Sequence, residues 1–264
     1  MKLYKIVFAG LCVLTLFTVS TCEFEYQDES VFPIPVVSKN DPAVSESAGK
    51  YSDNDSRKDI HDSFKNMAGD FQFILLGDDI IAYWDWDDMP NSSSYYNFGI
   101  SGDDTANLIW RLKDGELSES ITADYVVLHI GVNNVKNWQS AASVAAGIGE
   151  IIKLINKKLP YTQILLFSVL PYYDTAWDDE EEWEWDIASF MLSNIQSVNN
   201  IISKYDGFYN TSYIDVASSF FADGVFYDEL FEPDDGYYST PTAEGYGYLY
   251  DEILAVLSNS GDDD

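Results

Sequence analysis

The most constraining feature of the sequence is a short apolar run that ends in a turn. Residues 73–76 (Phe-Ile-Leu-Leu) are followed by Gly77, Asp78 and Asp79, with no proline among them. A run of this length, closed by glycine and acidic residues, is typical of a buried strand that ends in a tight turn. In an open parallel sheet, ligands and catalytic groups lie at the carboxyl ends of such strands. We therefore expect the turn at 77–79 to mark a functional site.

Beyond Arg57 the sequence alternates between strand and helix patterns. The predicted strands are 71–76, 95–100, 125–130, 163–169 and 212–216. The predicted helices are approximately 58–67, 105–113, 141–158, 187–205 and 243–257. Alternation of apolar strands with helices predicts a parallel sheet covered on both faces. The sequence thus predicts an α/β domain over residues 58–258, with five parallel strands in a three-layer αβα arrangement and an acidic, solvated tail at 259–264.

The first 21 residues have the pattern of a signal peptide. Lys2 and Lys5 precede an apolar run at 6–17, and small residues follow it. The run is short for a membrane span, so an uncleaved anchor is the alternative. The segment before Cys22 also resembles a bacterial lipobox, although Thr21 is unusual there, which leaves a lipid anchor at Cys22 as a further alternative. We expect a secreted or extracytoplasmic protein.

The charge balance restricts the partners of this protein. The chain has 14 Lys and Arg against 45 Asp and Glu, for a formal net charge of −31. Such a surface repels nucleic acid and anionic membranes and favours neutral or cationic partners. Residues 22–57 are acidic and contain three prolines. This composition predicts an extended or disordered linker.

Two predicted loops combine tryptophans with acidic residues. Trp84 and Trp86 follow the first strand, and Trp177 and Trp183 follow the fourth. Both loops should lie at the carboxyl edge of the sheet, where aromatic faces beside carboxylates can stack sugar rings or hold a quaternary ammonium. The sequence predicts these four residues as ligand-binding. The alternative is that the tryptophans anchor the loops on the core while the acidic side chains stay in water.

Three segments that follow predicted strands match the ordered blocks of a known family. They are 77–79 (Gly-Asp-Asp), 97–103 (Asn-Phe-Gly-Ile-Ser-Gly-Asp), which 110–117 continues, and 131–134 (Gly-Val-Asn-Asn). Together they resemble the SGNH, or GDSL, hydrolases, and in particular the α-subunit type of platelet-activating-factor acetylhydrolase. The resemblance extends from about Lys58 to the final helix. It implies a flavodoxin-like SGNH fold and serine-esterase chemistry, and the acetylhydrolase type suggests a homodimer.

The resemblance also implies roles for individual residues. In this family a serine of the first block attacks the acyl carbon, and a glycine and an asparagine of the next two blocks help to hold the oxyanion. The glycine matches Gly102 and the asparagine matches Asn133, which can bring one backbone and one amide donor to the developing charge. Without the resemblance, both would be ordinary turn or cap residues. The serine position holds Asp79, and a carboxylate is a poor acyl nucleophile whose charge opposes an oxyanion.

The histidine base of the family also has no match. Asp235 can be aligned with the family aspartate, which places Tyr238 at the histidine position, and another gap placement puts Thr240 there. The chain contains two histidines, His61 and His129. We expect His61 to have a surface or packing role and His129 to be a core residue within its strand.

These observations predict a degenerate, non-catalytic esterase whose cleft binds a small molecule, a glycan, an ester or a cationic ligand. The alternative is an active esterase or acetylhydrolase with a non-standard nucleophile, for which Ser101 is poorly placed because it lies in the second block. A cation held by Asp78, Asp79, Asp103 and Asp104 is a lesser alternative, since their spacing matches no known cation loop. No metal or cofactor is therefore expected.

Overall fold

The computed structural model describes residues 31–88, 94–174, 182–222, 225–234 and 237–259 of the 264-residue chain. The helices of these residues are α1 (Glu46–Gly49), α2 (Ser56–Phe64), α3 (Asp79–Ala82), α4 (Thr105–Lys113), α5 (Val132–Lys136), α6 (Ala141–Lys158), α7 (Glu182–Ile202) and α8 (Ala243–Asn259). The strands are β1 (Gly69–Gly77), β2 (Tyr95–Gly99), β3 (Ile121–His129), β4 (Gln163–Phe167), β5 (Tyr173–Asp174), β6 (Thr211–Ile214), β7 (Phe221–Ala222), β8 (Val225–Phe226), β9 (Phe231–Asp234) and β10 (Tyr237–Pro241).

The main sheet has five parallel strands in the order β2-β1-β3-β4-β6. This confirms the predicted α/β fold with five parallel strands, and their ends differ from the predicted ones by a few residues. Gly77 at the end of β1 pairs with Gly99 of β2 on one side and with His129 of β3 on the other. The strand order reverses at β1, and ligand sites of open α/β sheets lie at such a reversal.

The apolar strands bury side chains on both faces of the sheet. In β1, Ile74 and Leu76 enter one core, which also contains buried residues of α4, α6 and α7. Phe73 and Leu75 enter a second core, which α8 covers with residues such as Leu249. Successive side chains of a strand point to opposite faces, so a continuous apolar run is what a sheet covered on both sides requires.

The segment predicted as a linker is packed against the domain over its described residues. Phe32, Ala43 and Tyr51 are buried, and the Phe32 ring lies 4.7 Å from the ring of Tyr205. The carbonyl of Gly49 accepts a hydrogen bond of 2.7 Å from the Asn107 side chain. The prediction of an extended or disordered segment is therefore wrong for 32–57, because a few apolar residues anchor a stretch whose average composition is acidic.

Several short elements were not predicted. The helices α3 and α5 are single turns directly after β1 and β3. The strands β5, β10 and β9 form an antiparallel sheet, and β7 pairs with β8. Segments of two to five residues show no hydrophobic periodicity, so sequence patterns do not reveal them. Among the described residues, no helix is long and apolar enough to cross a membrane.

Candidate functional site

The site is built on the turn that follows β1. Asp78 caps α3, because its side chain accepts a hydrogen bond of 3.3 Å from the backbone N–H of Ile80. This cap places Asp79 in the first turn of α3, at the carboxyl end of the sheet. The neighbouring strands β2 and β3 end beside it and lead into the loop at 100–104 and into α5.

The carboxylate of Asp79 accepts hydrogen bonds from three residues in two segments, the loop at 100–104 and α5. Oδ1 lies 2.6 Å from Oγ of Ser101. Oδ2 lies 3.0 Å from the backbone nitrogen of Gly102 and 2.7 Å from Nδ2 of Asn133. The structure thus brings Asp79, Gly102 and Asn133 together. The two donors that were assigned to an oxyanion both bind the same oxygen of Asp79.

The local backbone fixes these donors in place. Gly102 has a φ of +81°, a left-handed conformation that favours glycine. Its carbonyl accepts a hydrogen bond of 3.1 Å from Arg57. Asn133 lies in the first turn of α5, and its Nδ2 also donates to the carbonyl of Asp103 at 2.9 Å. The donors are therefore held by contacts of their own and do not depend on Asp79 alone for their positions.

The same hydrogen bonds determine the charge of Asp79. Burial alone would raise the pKa of its carboxyl group, but the bonds from Ser101, Asn133 and Gly102 outweigh burial and hold the pKa below its ordinary value. Asp79 is therefore an ionised carboxylate at neutral pH. The protonated form that burial alone would favour is not the one that this environment stabilises.

Neither histidine is placed as a base for this site. His129 is fully buried, and its Nε2 accepts a hydrogen bond of 3.2 Å from the backbone N–H of Leu170. Nε2 therefore carries no proton, and Nδ1 donates to Asp78 at 3.2 Å. His129 is a core residue, as predicted. His61 is also fully buried, with Nδ1 2.7 Å from Glu116 and Nε2 3.0 Å from Asp114. Of the two roles expected for His61, packing is therefore confirmed and a surface position is wrong.

A buried ion cluster supports the loop that carries Gly102. Arg111 is fully buried and donates to Asp103 at 2.7 Å and to the two carboxylate oxygens of Glu116 at 2.8 and 2.9 Å. It also donates to the carbonyl of Phe98, and the Tyr51 hydroxyl donates to Asp103. Glu116 is the same carboxylate that binds His61. The residues that follow Gly102 are thus tied to α4 from inside the protein.

Trp84 and Trp86 are core residues. Their exposed fractions are 3% and 0%. The Trp84 ring stacks on Tyr246 at 5.3 Å, and the Trp86 ring contacts Phe73 and Tyr250, each at 5.3 Å. The predicted ligand-binding role of these two tryptophans is wrong, because both rings are buried in the core beneath α8.

The other predicted site residues are only partly described. Asp235 and Trp177 lie outside the described residues. Tyr238 is on β10 and Trp183 is on α7, but their side chains are outside what the structure describes. Thr240, the other position considered for a histidine, is on β10 and half-buried.

The acidic residues considered for a cation bind different protein groups. Asp78 binds His129, Asp103 binds Arg111, and Asp104 caps α4. Among the described residues, the set with ligand atoms close enough for one ion is His61, Asp62 and Asp114. Lys65 already lies 2.8 Å from Asp62 and 2.9 Å from Asp114, so an ion would have to displace this lysine.

Two contacts of the site and one exposed aromatic pair elsewhere were missed from the sequence. Ser101 donates to Asp79, and the Tyr83 hydroxyl donates to Ser101 at 3.2 Å. The exposed pair is formed by Trp138, which follows α5, and Phe190, which lies on α7. Their separation of more than 50 residues in the sequence hides this pair from any local pattern.

Replacing Asp79 by Ala is expected to lower the free energy of unfolding by about 1–3 kcal/mol at pH 7, because three hydrogen bonds to a charged acceptor are lost. Since the pKa of Asp79 is lowered by folding, its contribution is present above the unfolded pKa of about 4 and is lost as the pH falls through the lower folded value. Urea unfolding between pH 7 and pH 3 should therefore show the wild type and the variant converging in stability. Asp53→Ala, which removes an exposed carboxylate, is the control. A constant difference across this range would contradict the assignment.

Comparison with known proteins gives one matching family and several related proteins. The GDSL-like Lipase/Acylhydrolase family matches residues 76–248. Platelet-activating factor acetylhydrolase IB subunit alpha2 from Homo sapiens is 37% identical over 102 residues, which are 37% of this chain and 43% of that protein. The same subunit from Gallus gallus is 32% identical over 138 residues, or 50% of this chain and 59% of that protein. The chain therefore spans less than two thirds of the length of these relatives.

Solved structures support the same fold. A protein from Streptococcus pneumonia, described as a candidate platelet activating factor, superimposes with a TM-score of 0.62 and 19% identity, over 76% of this chain and 92% of that chain. A member of the lipolytic protein G-D-S-L family from Veillonella parvula gives a TM-score of 0.53 and 16% identity, over 72% and 99%. At these identities the similarity establishes the fold alone.

Proposed function

Because the chain belongs to the GDSL-like lipase/acylhydrolase family, we propose that it is a non-hydrolytic member, which binds a neutral or cationic ligand in the cleft beside Asp79. One observation carries this proposal. The carboxylate of Asp79 occupies the hydrogen-bond donors of Ser101, Gly102 and Asn133. An ester carbonyl would need the same donors when negative charge develops on its oxygen. It would have to displace an ionised carboxylate to reach them.

The charge of the cleft determines which ligands are favoured. An ionised carboxylate repels an oxyanion that forms beside it and attracts a cation. Tyr83, next to the site, has an exposed fraction of 58%, and its hydroxyl binds Ser101. An aromatic ring beside a carboxylate suits a quaternary ammonium group. The net charge of −31 acts in the same direction.

The lack of a base supports the same proposal. The chain has two histidines, and both are fully buried. His129 uses both ring nitrogens for Leu170 and Asp78, and His61 uses both for Glu116 and Asp114. A serine mechanism needs a base with a free nitrogen in reach of the nucleophile.

The first test is hydrolysis of p-nitrophenyl acetate by the purified protein, beside Asp79→Ala. We expect no hydrolysis above that of the variant, because the carboxylate blocks the oxyanion donors. Calorimetric titration with choline and with its neutral isostere 3,3-dimethylbutanol then examines the ligand. The wild type should bind choline more tightly than 3,3-dimethylbutanol. This preference for the cation should disappear in Asp79→Ala. Hydrolysis by the wild type that Asp79→Ala abolishes would refute the proposal.

A second candidate, an esterase with a non-standard nucleophile, is favoured by one distance. Oγ of Ser101 lies 2.6 Å from Oδ1 of Asp79, close enough for the carboxylate to accept its proton. The lowered pKa of Asp79 makes it a weak base, and its Oδ2 still occupies the donors that an oxyanion needs. Ester hydrolysis that is lost in both Ser101→Ala and Asp79→Ala would establish this candidate in place of the first.

A further inference from the structure

Arg57 reaches the cleft from a part of the chain that the family match does not include. It lies in the first turn of α2, whereas the family match covers residues 76–248. Its Nη1 donates to the carbonyl of Gly102 at 3.1 Å and lies 3.5 Å from Oδ1 of Asp103. A Cβ atom placed on Gly102 would lie 3.7 Å from the same Nη1. The guanidinium group therefore borders the residue whose N–H binds Asp79.

The guanidinium group of Arg57 is fixed by two other residues of the N-terminal segment. Asp55 accepts hydrogen bonds from Nε at 3.1 and 3.2 Å and from Nη2 at 2.7 Å. The guanidinium carbon lies 4.7 Å from the centroid of the Tyr51 ring, which is a cation–π contact. Tyr51 is buried, and the side chain of Arg57 is 30% exposed. Because the planar group is held at Asp55 and Tyr51, Nη1 has a defined direction toward the loop at 100–104.

The peptide group that Arg57 binds joins Gly102 to Asp103. The N–H of Gly102, on one side of this group, donates to Asp79 at 3.0 Å. The carbonyl of Asp103, on the other side, accepts a hydrogen bond of 2.9 Å from Asn133. The peptide group at Arg57 therefore lies between two contacts of the cleft, and its orientation affects both.

Gly102 does not fix the orientation of this peptide group by its own conformational preference. Its φ is +81°, and glycine adopts positive and negative φ at similar cost. The N–H edge of the group is held by a hydrogen bond of 3.2 Å from Asp103 to the carbonyl of Ile100. The carbonyl edge is held by Arg57. Without Arg57, glycine offers little resistance to rotation of the group, and its own N–H is free to turn away from Asp79.

We propose that Arg57 is a positioning residue of the cleft, which fixes the peptide group between Gly102 and Asp103 and thereby directs the N–H of Gly102 onto Asp79. Arg111 holds Asp103 from inside the protein, and Arg57 holds the same loop from the outside. The N-terminal segment is thus a part of the site. This inference deepens the proposed function because it concerns the same cleft, and the position of the Gly102 N–H can be measured without any ligand.

The test follows the Gly102 amide signal in ¹H–¹⁵N NMR spectra of the full chain between pH 7 and pH 3. Hydrogen bonds hold the pKa of Asp79 below its ordinary value despite burial, so the wild-type signal should change only toward the acid end. In Arg57→Gln, this change should move to higher pH, because the carboxylate loses the directed bond from Gly102. Exchange of the Gly102 amide proton with solvent should become faster by about tenfold.

Two further variants separate the direction of the Arg57 hydrogen bond from its charge. Lys58→Gln removes a neighbouring charge on α2 that pairs with Asp62 at 2.6 Å, so the Gly102 signal should titrate as in the wild type. Arg57→Lys keeps the charge, but one ammonium group does not reproduce the planar fork that binds Asp55 and Gly102 together. It should therefore shift the Gly102 titration in the same direction as Arg57→Gln. Arg57→Lys also makes the comparison if Arg57→Gln does not fold.

Two results would overturn the inference. One is a Gly102 amide that titrates and exchanges in Arg57→Gln as in the wild type. The other is wild-type behaviour of Arg57→Lys, which would reduce the role of Arg57 to its charge.

Choline titration of the same samples tests the proposed function separately. Choline affinity should fall on acidification as Asp79 takes up a proton, and this fall should begin at a higher pH in Arg57→Gln. If the Gly102 titration moves in Arg57→Gln but the wild type does not bind choline, the proposed function fails and the positioning role stands. If choline binds and the Gly102 titration is unchanged in Arg57→Gln, the positioning role fails alone.

Discussion

Replacing Arg111 by Met is expected to lower the free energy of unfolding by about 3–5 kcal/mol. Met fills a similar volume, so the cost comes from the charges that remain. Arg111 is fully buried and binds Asp103 and both carboxylate oxygens of Glu116. Without the guanidinium group, two carboxylates stay inside the protein without their main counter-charge.

The remaining partners of these carboxylates do not replace Arg111. Asp103 keeps the Tyr51 hydroxyl and a contact of 3.5 Å to Arg57, and Glu116 keeps His61 at 2.7 Å. Burial already raises the pKa of Asp103 to about 6, even though Arg111 opposes this shift. In the variant, we expect this pKa to rise further, and the cost of the buried charge should be partly relieved when Asp103 takes up a proton.

The pH dependence of Arg111→Met follows from the direction in which folding shifts the pKa of Asp103. A carboxyl group whose pKa is raised by folding binds more protons in the native state than in the unfolded state, so its contribution to stability falls as the pH rises through about 4 to 6. The deficit of Arg111→Met relative to the wild type should therefore be larger at pH 8 than at pH 5. Urea unfolding at both pH values measures it.

Lys113→Met is the matched control for Arg111→Met. Lys113 also lies on α4, but it is exposed and pairs with Glu46 at 3.2 Å on the surface. Its replacement should change the free energy of unfolding by no more than about 0.5–1 kcal/mol, as is usual for a surface ion pair. An Arg111 variant that loses no more stability than this control would show that the buried cluster is not needed for folding.

The sheet could be predicted because the hydrophobic pattern of each strand is visible in the sequence. Runs such as 73–76 and 164–167 are apolar on both faces. The helices α4 and α6 have the matching helical period, and their observed bounds agree with the predicted ranges. The antiparallel pairing of β10 with β5 and β9 could not be predicted in this way. These strands have two to five residues, and their pairing joins segments that are far apart in the sequence.

The site was predicted only as far as its motifs extend. Gly102 and Asn133 lie beside Asp79, as the matched blocks indicated. The motifs do not show that the Asp79 carboxylate accepts hydrogen bonds from both residues, because this depends on side-chain geometry. Arg111 was noted only as part of a motif, because nothing in its neighbours distinguishes a buried guanidinium from an exposed one. Arg111 donates hydrogen bonds to Asp103, Glu116 and the carbonyl of Phe98, and only the fold brings these groups together.

Replacing Trp86 by Ala is expected to lower the free energy of unfolding by about 3–5 kcal/mol, because the indole is fully buried and its loss leaves a cavity. The ring packs against Phe73 of β1 and Tyr250 of α8, so it joins the sheet to the final helix. Trp84 covers its other side at 5.0 Å. To close the cavity around the smaller alanine side chain, all three of these neighbours would have to move.

Tyr83→Ala in the same segment is the control for Trp86→Ala, because Tyr83 is 58% exposed and should contribute little to stability. Urea unfolding of the two variants separates a core position from a surface position. Trp86→Ala should lose stability, and Tyr83→Ala should stay close to the wild type. If Trp86→Ala instead kept the stability of the wild type, the assignment of Trp86 to the core would be wrong.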